Sequence, residues 1–123
     1  MQKKILIVDD EQDMQLYLET LLRKAGYKTY TASNGLEAQD KITAEKPDLI
    51  SLDIMMPKKS GINFLKSLRE NKDTRDIPVA IVSGVTSHKE FFNDLPDFGT
   101  TIFVDKPIEK DSFLNQIKEA LAE

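Results

Sequence analysis

Three aspartates, a serine and a lysine stand where short apolar runs end. Asp9 and Asp10 follow KILIV, with Glu11 next. Asp53 closes LISLD, Ser83 closes VAIVS, and Lys106 lies just beyond TIFV. Asp53 sits within LISLDIMMPKKSG (Leu49–Gly61), and an ionised carboxylate is costly to bury without a partner. Clustered carboxylates repel one another and suit a hard divalent cation. Mg²⁺ fits, since it takes oxygen ligands, keeps several waters and needs only one or two carboxylates. With no cysteine and a single histidine, His88, a softer metal lacks ligands. A carboxylate can also attack phosphorus to give an aspartyl-phosphate. A cation, a lysine and a hydroxyl would then balance the charge on the transferred group. Each residue alone has a plainer reading: a strand-end acid is more often a helix cap or loop residue, Asp-Asp a turn, Lys-Pro a surface loop. Their shared position at the C-terminal ends of the apolar runs is what favours chemistry.

These positions matter only if the runs are neighbouring strands. KILIVD (4–9), KTYTA (28–32), LISLD (49–53), VAIVS (79–83) and TIFV (101–104) are short, apolar and bounded by polar or Gly/Pro signals, which predicts strands. Their near-continuous apolarity suits a parallel sheet covered on both faces. Helical patterns fill the gaps. Met14, Tyr17, Leu18, Leu21, Leu22 and Ala25 recur on one helix face, and Gly26 stops that helix. Ser33-Asn34-Gly35 opens a second, which ends before Pro47. Ser60 is the expected N-cap of a third, carrying Ile62, Leu65 and Leu68. Phe113, Ile117, Ala120 and Leu121 mark the last. Between Ser87 and Gly99 the pattern is poor, and Pro96 implies a short fourth helix. Five β-then-α units make an open, doubly wound sheet with helices on both faces, whose ligands bind at the strand C-termini.

The 123 residues suit one domain. Seventeen basic against 21 acidic residues give a net charge of −4, which argues against a nucleic-acid surface. Absence of cysteine excludes disulfides and thiolate metal sites. No apolar stretch reaches the roughly 20 residues of a membrane span, and Ile5–Val8 is too short for a signal-peptide core. A cytoplasmic protein is expected.

The pieces ILIVDDE, NGLEA, LDIMMPKKSG, VSG and FVDKP, in that order, resemble the receiver domain of bacterial two-component response regulators, and the resemblance spans Lys4 to Leu121. It implies a flavodoxin-like (βα)5 domain over residues 1–123 with strand order 2-1-3-4-5. It makes Asp53 the phosphoacceptor, charged by a histidine kinase or phosphotransfer protein. Asp10 would ligate Mg²⁺ directly and Asp9 mainly through water, with Asp53 itself and the backbone carbonyl of Met55 completing the protein ligands. Ser83 and Lys106 would contact the phosphoryl group. Ser83 and Phe103 would act as the switch, and the Lys106–Pro107 bond would be cis. A downstream target or output domain would read the switch, and dimerisation on phosphorylation is allowed for. The chemistry would be confined to the protein's own phosphorylation and dephosphorylation.

Two departures from the family pattern stand out. SHKEFFNDLPDFGTT (87–101) replaces the usual regular fourth helix and is dense in Phe91, Phe92 and Phe98. Local core filling is the plain reading, and a modified partner surface the functional one. His88 reads as a solvated residue and Met56 as loop packing. A Mg²⁺-dependent phosphatase is the rival from another class, but such enzymes place two acids at i and i+2, whereas Asp9 and Asp10 are adjacent, and no cap domain is present. The intact set Asp9, Asp10, Asp53, Ser83 and Lys106 argues against a degenerate, interaction-only domain.

Overall fold

The structure is a computed structural model. It describes residues 2–53, 60–83 and 101–122, and the side chains of all of these except 60–62, 83 and 105. Five strands, β1 (Lys4–Val8), β2 (Lys28–Ala32), β3 (Leu49–Asp53), β4 (Val79–Ser83) and β5 (Thr101–Asp105), form one parallel sheet in the order β2-β1-β3-β4-β5. Four helices are described: α1 (Gln12–Lys24), α2 (Gly35–Glu45), α3 (Ser60–Glu70) and α4 (Lys110–Ala120). The expected short helix within 87–99 lies outside the described residues, as do His88, Met55, Met56 and Pro57.

Strand residues alternate between two cores, as the period of two requires. Leu6, Val8, Ile50, Leu52, Val79 and Ile81 meet Ala38 and Ile42 of α2 and Phe64, Leu65 and Leu68 of α3. Ile5, Ile7, Leu49, Ala80, Val82 and Val104 meet Leu18, Leu21 and Leu22 of α1 and Phe113 and Ile117 of α4. Burial on both faces is why the strands read as continuous apolar runs. Each buried Leu or Ile contributes about 1.5–3 kcal/mol relative to exposure. Tyr17, on the predicted inner stripe of α1, is instead 43% exposed. It lies at the edge of a stripe that Leu18, Leu21 and Leu22 already fill.

Local signals set the helix ends. Asn34 caps α2, its side chain accepting from the Glu37 N–H at 2.8 Å. Lys46 ends that helix in the left-handed region just before Pro47. After α1 the chain turns at Gly26 with φ +99°, a conformation that favours glycine. Ser60 is the first residue of α3 rather than the residue before it. Glu109 caps α4 by accepting from the Asp111 and Ser112 N–H groups.

Candidate functional site

The C-terminal ends of β1 and β3, adjacent in the sheet, bring Asp9 and Asp53 together. Val8 pairs with Leu52, so each aspartate is one residue beyond that pair. Both are buried, at 1% and 3% exposure. Asp10 and Glu11, exposed at the approach to α1, complete the group: one carboxylate oxygen from each of Asp9, Asp10, Glu11 and Asp53 lies within 4.8 Å of the others. Lys106, beyond β5, places Nζ 3.9 Å from Asp53 Oδ1. That separation makes an ion pair rather than a short hydrogen bond. The peptide between Lys106 and Pro107 is cis.

Asp9 is held from several sides. Its N–H donates to the Ala32 carbonyl at 3.0 Å, prolonging the β1–β2 ladder. Its Oδ1 accepts from the Glu11 N–H at 2.9 Å. Its carbonyl accepts from Gln15 Nε2 at 2.6 Å, and the same amide reaches Ser33 Oγ at 3.2 Å. Gln15 thus ties the loop after β1 to the loop after β2. Burial is the main cause that pushes the Asp9 carboxyl up to about 6. The Glu11 N–H opposes it, the Asp53 charge adds to it, Lys106 lowers it and Asp10 raises it.

Four carboxylates face one lysine, and all the donors are oxygens. The excess negative charge and the hard donor set fit a divalent cation of the Mg²⁺ type. The Met55 carbonyl lies outside the described residues. Ser83 is the last residue of β4, in register with Asp105, and its side chain is not described. Phe103, in the middle of β5, packs partly buried against the core shared with α2 and α3, and its carbonyl accepts from Gln116 Nε2 at 3.1 Å.

Two members of the site went unassigned in the sequence. Glu11 was visible beside Asp10, and its place in the cluster comes from the β1–α1 turn. Gln15 carried only one signal: it is a polar residue one turn after Glu11, where the amide can reach back over the loop.

The matched family model is the response regulator receiver domain, over residues 5–118. The chain is 31% identical over 121 residues to sporulation initiation phosphotransferase F of Bacillus subtilis (strain 168), covering 98% of this chain and 95% of that protein. It is 51% identical over 72 residues to the alkaline phosphatase synthesis transcriptional regulatory protein PhoP of the same organism, a match spanning 58% of this chain but only 30% of that protein. A putative response regulator from Chloroflexus aurantiacus J-10-fl superposes over the whole of both chains with a TM-score of 0.88 at 28% identity. With an acid cluster at the C-terminal edge of a 2-1-3-4-5 sheet and a family match along nearly its whole length, the chain belongs to the response regulator receiver domains of two-component signalling systems.

Proposed function

We propose that Asp53 accepts a phosphoryl group in a Mg²⁺-dependent reaction and that the resulting charge switches the domain for a partner or output domain. The observation that carries this reading is a buried Asp53 with a lysine ammonium at 3.9 Å and three further carboxylates beside it. The donor would be a phosphohistidine on a histidine kinase or phosphotransfer protein. An Asp53 carboxylate oxygen attacks phosphorus, the P–N bond breaks, and the imidazole leaves with that electron pair. Bound Mg²⁺ would supply charge neutralisation for the phosphoryl oxygens, as phosphoryl transfer requires. Asp9, Asp10 and Asp53 would hold the ion, together with the Met55 carbonyl. Lys106 pairs with the new phosphoryl oxygens, and Ser83 donates to one of them. Residues 1–123 would act as one receiver domain, working in the cytoplasm. None of the described helices is long and apolar enough to cross a membrane.

The test is incubation with acetyl phosphate and Mg²⁺, followed by intact-mass and peptide mapping after borohydride reduction. One phosphoryl group on Asp53, absent when EDTA is added, is expected. Turnover of small phosphoesters without a labelled protein would overturn the reading.

Readout at a distance follows from charge. Phosphorylation adds roughly −1.5 to −2 charges, which draws Ser83 and Lys106 from the ends of two neighbouring strands. Phe103, partly buried between them in sequence, is the bulky residue placed to change rotamer. Two states a few kilocalories apart suffice if the phosphoryl group binds one better. Beryllofluoride, a phosphoryl mimic, is therefore expected to shift NMR signals of Phe103 and of residues 87–99, and Ser83→Ala should lose most of that distant shift. Perturbation confined to the neighbours of Asp53 would refute the Phe103 relay. A phosphorylated dimer would be a further form of output, checked by light scattering with and without the mimic.

A further inference from the structure

Arg69, at the end of α3, is among the largest fully buried side chains described, at 1% exposure. Its guanidinium lies at the edge of the sheet opposite the acid cluster. Nη1 donates to the carbonyls of Arg75 at 2.8 Å and Ile77 at 2.7 Å. Nη2 donates to Thr101 Oγ1 at 3.1 Å. One cation therefore joins α3, the connection to β4 and the first residue of β5. Burial lowers its pKa and the charge of Asp76 opposes this, yet an arginine stays protonated in a protein. Burying that charge is costly, so packing alone would be served better by an apolar side chain.

The recipient is an edge strand. Among the described residues, β5 pairs with β4 alone. Beyond that ladder, Arg69 donates to it at Thr101 and Gln116 donates to the Phe103 carbonyl. Thr101 and Phe103, two residues apart, share the face toward α3. Lys106 follows five positions after Thr101, roughly 16 Å along an extended chain at about 3.3 Å per residue. We infer that Arg69, acting through Thr101, is a positioning residue that sets how far β5 extends along the sheet, and so fixes the reach of Lys106 toward Asp53. The inference rests on the phosphoacceptor reading above, because it gives Lys106 its work.

Thr101→Val keeps the shape and removes the hydroxyl, whereas Thr101→Ser keeps the hydroxyl. Thr101→Val is expected to slow Asp53 labelling by acetyl phosphate about tenfold, since small misplacements of a charge-pairing group cost rates of that order. Half-saturation by Mg²⁺ should stay within about twofold of wild type, because Asp53 lies on β3 and the other acids in the turn after β1. The NMR signal of the Lys106 ammonium should move in Thr101→Val, and Thr101→Ser should restore both rate and signal. Wild-type labelling and an unmoved Lys106 signal in Thr101→Val would overturn the inference, as would Thr101→Ser behaving like Thr101→Val. If wild type takes up no phosphoryl group, the phosphoacceptor reading fails instead, and the Lys106 signal in the two variants still decides whether Arg69 and Thr101 position it.

Discussion

Asp53→Asn is expected to take up no phosphoryl group under conditions where wild type takes up one. The amide lacks the anionic oxygen that attacks phosphorus, while its size and its place at the end of β3 are unchanged. The variant should fold, because Asn conserves the volume of a fully buried side chain. A second consequence is measurable on the same sample. The charge of Asp53 is one cause of the raised carboxyl pKa of Asp9, so removing it should bring that pKa down from about 6 toward its ordinary value of 3.8. A carbon-detected NMR titration of Asp9 in both proteins checks this. Undiminished labelling of the variant, mapped to Asp9 or Asp10, would move the acceptor to the turn after β1.

Asp9→Asn is expected to stabilise the metal-free protein at pH 7. Asp9 titrates near 6 when folded against 3.8 ordinarily, and each pKa unit corresponds to 1.36 kcal/mol. The folded state therefore binds this proton more tightly than the unfolded chain. Below about pH 4 both states hold it and Asp9 costs nothing. Between about pH 4 and 6 the unfolded chain ionises first, and stability falls as pH rises. Above about pH 6 the full cost is present, on the order of 2–3 kcal/mol. Asn keeps an oxygen to accept the Glu11 N–H bond, so most of that cost should be relieved, raising the melting temperature by roughly 10 °C. The gap between variant and wild type should close as the pH is lowered to 4. Added Mg²⁺ should narrow it at pH 7, since a ligand of the native state stabilises wild type by RT ln(1 + [L]/Kd). A gap that stays constant from pH 4 to 7 would mean that burial of Asp9 carries no electrostatic cost.

The fold was largely legible because its signals are local. Five apolar runs with β-branched residues gave the strands, Asn34 and Gly26 punctuated α1 and α2, and strand ends located Asp9 and Asp53. What stayed hidden depends on residues far apart in sequence. An arginine in the last turn of a helix ordinarily reads as a solvated partner of the helix dipole, and nothing near Arg69 announces that Thr101 will accept from it 32 positions later. Gln15 was equally silent, since its work is to bridge two loops that meet only in the folded sheet. The Tyr17 position shows the limit of a helical stripe, which marks a face without saying how wide the buried part is.

The order of the strands has a consequence for the growing chain. β1 lies between β2 and β3 and pairs with both, so the first 53 residues contain three adjacent strands and every member of the acid cluster. The lysine that faces Asp53 follows the strand made last. Synthesis proceeds from the N-terminus, and the acidic half can come together on the ribosome while its ammonium is still unmade. During that interval ions from solution can offset the crowding of negative charge, and the late arrival of β5 with Lys106 adds the ammonium that faces Asp53 to a sheet already begun.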